Sequence, residues 1–157
     1  MERTADTKAA EDESVQRVRE VFEGIAKVGH VTQMERYIQH GRVSTLDHVL
    51  RVACKAVRWS RGMRMRVRED ELIRGALLHD YYLYDWHDPT NKGHATKHPL
   101  RALKKAEGDF SLTDRERNII SAHMWPLPPT RIPRYREAWL VCLADKWCSL
   151  EETLFMR

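Results

Sequence analysis

The sequence predicts an all-α protein. Apolar residues recur at three- and four-residue spacing through most of the 157-residue chain, as one face of a helix demands. No stretch alternates apolar and polar residues for long enough to make a period-two strand, and there is no repeat or low-complexity tract. With 42% apolar residues, the chain is long enough for one domain with a real core.

The elements follow in order. Residues 1–13, charged and without apolar periodicity, read as a disordered lead-in; the helical domain then occupies 14–157. Ser14 is placed to cap a first helix whose inward positions are Val15, Val18, Val21, Phe22, Ile25 and Val28. A short helix covers Thr32 to Ile38. Ser44 caps the next, with Leu46, Val49, Leu50, Val52, Ala53, Ala56 and Val57 inward. Arg68 to His79 forms a fourth, almost wholly apolar in its second half. Residues 80–97 are a loop rich in aromatics, His, Asp and Gly. Pro99 suits the first turn of a fifth helix ending near Glu107. Thr113 with Glu116 has capping-box spacing ahead of Ile119 and Ile120. Pro126, Pro128, Pro129 and Pro133 make an extended connector, and a last helix runs from about Tyr135 to Leu154. The expected architecture is a single bundle of six to seven helices.

Composition narrows the function classes. Lys plus Arg is 27 against 23 Asp plus Glu, a net charge of +4. Arginines recur through "RWSRGMRMRVR", which reads as a solvated helix end and loop; no zinc finger or RNA-binding signature accompanies it, so nucleic acid is not an expected partner. Three cysteines, Cys54, Cys142 and Cys148, form no CxxC pair, and the N-terminal "MERTADTKAAEDES" has no apolar leader core. No apolar run approaches a membrane span. A cytoplasmic protein without membrane contact is expected.

The informative residues are polar ones on inward faces. In "REAWLVCLADKWCSLEE", Asp145 lies between Val141 and Cys148 on one helix face. A buried carboxylate costs several kcal/mol unless it is paired or binds a metal. An ion pair with an arginine would satisfy it as well. His48 in "STLDHVLRVA" and His123 after Ile119 and Ile120 could each be core histidines with satisfied hydrogen bonds. His79 and Asp80 end the apolar run in "GALLHDYYLYDWHD". Together His48, His79, Asp80, His123 and Asp145 bring imidazole and carboxylate groups from four helices to inward faces. Those are the ligands that borderline divalent metals prefer.

The order His, His-Asp, then a distant Asp resembles the HD-domain superfamily of metal-dependent phosphohydrolases, over roughly residues 40–152. The matching residues are His48, His79-Asp80 and Asp145. "KHPLRALKKA" and "IISAHMWP" further resemble members with two metals, which implies His98 and His123 as ligands of a second ion with Asp80 bridging. His94 competes with His98, which is favoured because Pro99 follows it. The implied cofactor is a divalent metal, two ions, with iron or manganese ahead of magnesium, cobalt, nickel or zinc. "YYLYDWHD" after Asp80 lacks the Gly-Tyr-Pro signature of the superfamily's cyclic-dinucleotide phosphodiesterases. His87-Asp88 reads equally as a pocket wall or as a loop turn before Pro89.

The resemblance implies hydrolysis of a small phosphate ester, with a nucleotide among the candidates, by a metal-activated water. Asp80 is then central to catalysis, and Arg51 and Lys97 are the nearest cations for charge stabilisation. Arg101, Lys146, His94 and His87 are candidates for substrate binding. Two other readings stay open: an HD-type di-iron oxygenase acting on a small organic substrate, and a non-catalytic HD module that binds a nucleotide or a protein.

Overall fold

The computed structural model describes residues 2–156, apart from the side chains of residues 2–7, 11 and 12. The elements are α1 (Glu2–Ala26), a 3₁₀ turn (Val31–Arg36), a hairpin of β1 (Ile38–His40) and β2 (Val43–Ser44), then α2 (Thr45–Gly62), α3 (Glu69–Leu78), α4 (His94–Asp109), α5 (Asp114–Ala122) and α6 (Arg136–Phe155). The protein is all-α but for the antiparallel hairpin, which pairs Ile38 with Ser44 and His40 with Val43.

The centre of the bundle is α2, which packs against both α3 and α6. Ser44 caps it as expected, its hydroxyl accepting from the Asp47 N–H at 3.1 Å. Its buried face is Thr45, His48, Val49, Val52, Ala53, Ala56, Val57 and Ser60. In α3, six of the ten residues are buried, Leu72, Ile73 and Gly75 to Leu78, because α1, α2, α5 and α6 all contact it. Gly75 permits a close approach of α3 to α5. A Cβ there would stand 2.5 Å from Ile119 Cδ1 on α5. At the start of α5, Thr113 and Glu116 form the full capping box, and Glu116, though buried, is paired with Arg74 at 2.6 Å.

Several boundaries differ from the sequence reading. Helix α1 begins at Glu2, and Ser14 lies inside it, its hydroxyl donating to the Ala10 carbonyl at 2.9 Å rather than capping. The lead-in expected over residues 1–13 falls partly outside the described residues. The helix expected from Thr32 is a 3₁₀ turn that gives way to the hairpin; strands of three and two residues are too short to show a period. Helix α4 starts five residues before Pro99, at His94, after Gly93 in the left-handed region (φ 75°). Pro99 therefore sits in the second turn, and the aromatic loop ends at residue 93. Among the described residues no helix is long and apolar enough to cross a membrane.

Candidate metal centre

Four imidazoles and two carboxylates meet at the middle of the bundle. His48 comes from the buried face of α2, His79 and Asp80 from the residues just after α3, His98 from α4, His123 from the residue after α5 and Asp145 from α6. All six are buried. The six expected ligands, scattered over nearly a hundred residues of sequence, are thus brought to one point.

Each histidine is held by its outer nitrogen. The Nδ1–H groups of His79, His98 and His123 donate to the carbonyls of Ala76 (2.6 Å), His94 (2.8 Å) and Ile120 (2.8 Å). His48 Nδ1 donates to Glu152 Oε2 at 2.9 Å. These acceptors have no proton to offer, so a neutral ring carries its proton on Nδ1 and turns the Nε2 lone pair inward.

The inner atoms crowd together. His48 Nε2 is 2.9 Å from Asp145 Oδ1 and 3.8 Å from Asp80 Oδ2. His79 Nε2 is 3.4 Å from Asp80 Oδ2 and 3.6 Å from Asp145 Oδ1. On the far side, His98 Nε2 and His123 Nε2 stand 3.3 and 3.4 Å from Asp80 Oδ1 and 2.8 Å from each other. Asp80 turns one oxygen to each histidine pair.

All the inward atoms are lone-pair donors. Two Nε2 lone pairs 2.8 Å apart repel, and His79 Nε2 and Asp80 Oδ1 are buried without a hydrogen-bond partner. What such a set lacks is positive charge. Ligand atoms of His48, His79 and Asp145, and again of His79, Asp80 and His123, lie within 4.8 Å of one another. The residues therefore fit a divalent metal.

With protons as the only cations, the same shortage appears as shifted acidities. Burial opposes charge on His48, but its hydrogen bonds to Asp145 and Glu152 outweigh that and push its pKa up to about 10. Burial likewise opposes the charge on Asp80, yet His79, His123 and His98 hold that carboxyl well below the usual range. His48 and His79 do the same for Asp145 against its own burial. Burial lowers His123.

Two further residues hold the centre and were not anticipated. Gln39 on β1 donates from Nε2 to Asp80 Oδ2 at 2.7 Å, while its Oε1 accepts from Tyr82 (2.6 Å) and Thr45 (3.2 Å). Those two hydroxyls fix which end of the amide faces Asp80. Burial raises the Tyr82 phenol far above its ordinary range, so it stays a donor. Glu152 is the other. It lies seven residues beyond Asp145, two turns along the same face of α6, a spacing that marks it in the sequence once Asp145 is taken as inward.

The expected cations are placed differently. Arg51 does not face the centre: its Nε donates to Glu152 at 3.1 Å and its Nη2 to Glu151 at 3.1 Å, so it acts on His48 through Glu152. Lys97 is exposed, its backbone N–H donating to the Gly93 carbonyl at 3.0 Å; its neighbour His98 takes the inward face of α4. Lys146 donates to the His123 carbonyl at 3.0 Å, tying α6 to the end of α5. Arg101, one turn beyond His98, donates to the Tyr84 hydroxyl at 3.1 Å. His94 is not among the converging nitrogens. Its ring stacks on His98 (centroids 4.4 Å, 12°) and on Trp86 (5.0 Å, 19°), its Nδ1 meets Tyr84 at 3.0 Å, and burial followed by the His98 charge lowers its pKa to about 3. His87 lies on the outside of Trp86, exposed and next to Asp85. Asp88 accepts from the N–H and hydroxyl of Thr90, which is a loop turn.

Fold and site together define a class, a helical domain built around a candidate divalent-metal centre. The HD domain family matches residues 45–149, two thirds of the chain, and the protein belongs to that family, most of whose members are metal-dependent hydrolases. No curated protein and no solved structure matches the chain.

Proposed function

We propose that the protein is a two-metal phosphohydrolase acting on a small phosphate ester. The observation that carries this reading is Asp80, whose two oxygens face two separate histidine pairs. One ion would be held by His48, His79, Asp80 and Asp145, the other by Asp80, His98 and His123. Such a pair supplies an activated water at neutral pH and charge to bind phosphoryl oxygens. The protein's own residues hold everything else in position. Gln39 keeps Asp80 turned between the two pairs, and Glu152, steadied by Arg51, keeps the His48 proton on Nδ1.

Beside the second half of the centre stands a wall of His94, Tyr84 and Trp86, with Arg101 on Tyr84 (guanidinium 5.2 Å from the ring centroid). Aromatic faces and one arginine suit a phosphate ester carrying a base or sugar, and a nucleotide-like ester is the substrate class favoured. The filled set of six ligand positions speaks against a non-catalytic module. The test is a panel of phosphate esters with protein stripped by EDTA and reloaded with Mn²⁺ or Fe²⁺. Activity should vanish on stripping and return on loading. Asp145→Asn should cut turnover far more than Lys146→Ala. No phosphate release across the panel, with O₂ consumed alongside an organic substrate, would replace this reading with the oxygenase one.

A further inference from the structure

Helix α6 is apolar on both sides. Its inner side carries Ala138, Val141, Ala144 and Cys148 along with Asp145 and Glu152. Its outer side carries Trp139, Leu143, Trp147, Leu150 and Leu154, each between 37% and 55% exposed. At about 100° per residue these five fall within an arc of about 80°, a single stripe roughly 22 Å long. A helix apolar all round is ordinarily a buried helix. Trp125 flanks Trp139 (centroids 5.0 Å), and Trp59 and Lys55 flank Trp147, but about half the surface of the other stripe residues stays open among the described residues.

We infer that the stripe is the interface of a homodimer, in which α6 crosses α6 of a second copy antiparallel about a two-fold axis near Trp147. Two features of the stripe favour a second copy. The first is area. Taking roughly 200 Å² for each large side chain in full, the exposed fractions amount to about 500 Å² per copy, or about 1,000 Å² for a pair, which reaches the lower bound of a specific interface before any rim residue is added. The second is self-complementarity. Counted from Trp147, the other members lie at −8, −4, +3 and +7, so reversing the helix sets Leu143 against Leu150 and Trp139 against Leu154.

The proposal is independent of the metal centre, although Asp145 and Glu152 stand on the opposite side of the same helix. Sedimentation velocity of the full chain over a concentration series tests it. The wild type should sediment at twice the 18.5 kDa of the chain. Leu143→Asp should halve that mass while leaving the circular dichroism spectrum and bound metal unchanged, since this side chain is half exposed. Trp147→Cys, the residue beside the axis, should form an intermolecular disulfide under mild oxidation that the wild type does not. A wild type that stays monomeric at about 100 µM, the upper end of weak specific association, overturns the proposal, as does a dimer that survives Leu143→Asp. A monomer that instead captures some other protein through this stripe also overturns it.

Discussion

Replacing Glu152 by glutamine tests whether the metal centre is organised as the distances imply. Glu152 is fully buried and accepts from His48 Nδ1 at 2.9 Å and from Arg51 Nε at 3.1 Å. Glutamine preserves the volume and removes the charge. If its oxygen stays on His48, the imidazole loses its anionic partner and becomes a poorer ligand. If its amide turns, it donates to Nδ1, moves the ring proton to Nε2 and closes that nitrogen to metal. Loss of such an outer partner costs about 10- to 100-fold in metal affinity, roughly 1.4–2.7 kcal/mol. The effect should fall on the half of the centre that contains His48, because His98 and His123 are held by backbone carbonyls and do not touch Glu152. Calorimetric titration of EDTA-stripped protein with Mn²⁺, followed by elemental analysis after gel filtration, separates the two halves. Glu151→Gln is the control. It pairs with Arg51 and Lys55 at the surface and not with His48, so its loss should change affinity by less than about twofold. Unchanged affinity in a folded Glu152→Gln protein, or an equal loss in the Glu151→Gln control, would refute the reasoning.

Asp80→Ala should remove nearly all bound metal, whereas His98→Ala should lose one equivalent and His94→Ala none; elemental analysis that reverses the last two moves the ligand to His94. Metal affinity should rise with pH between 6 and 8, because His48 holds its proton up to about pH 10 without metal and binding must expel it, while both aspartates are already ionised across that window. The slope is up to about tenfold per pH unit for each proton expelled, and a flat profile in calorimetry would contradict it. Gly75→Ala should lower the melting temperature by several degrees, since its Cβ would meet buried Ile119 at 2.5–2.9 Å and overpacking of about 1–3 kcal/mol outweighs the helix propensity gained. A thermal melt with no fall would show that α3 and α5 separate easily.

The helices were legible because they depend on local pattern, and the candidate ligands were named from polar groups on inward faces together with the family resemblance, which alone supplied His98. His48, His79, Asp80, His123 and Asp145 stand out as polar groups on apolar faces, and their order supplies the family. Ser44 and the Thr113–Glu116 box, being short-range chemistry, were equally readable. What was hidden depends on partners distant in sequence. Gln39 gives no signal of its own, because it sits on a three-residue strand and acquires meaning only when the hairpin brings it under Asp80. Arg51 lies on the correct side of α2 for the centre, but two glutamates a hundred residues away claim its guanidinium. Gln39 and Glu152 also lie outside the residues matched by the family, 45–149. The family match therefore does not reach them, and Glu152 is marked in the sequence only by its seven-residue spacing from Asp145.

The hydrogen bonds that fix the imidazoles give the two halves of the centre different histories. His79, His98 and His123 each donate to a carbonyl three or four residues back in their own helix, so those rings acquire their tautomer as soon as the helix forms. His48 must wait for Asp145 and Glu152, 97 and 104 residues further on. The stretch from His79 to His123 therefore sets its tautomers through local contacts alone, and the remaining share closes only when α6 docks on α2.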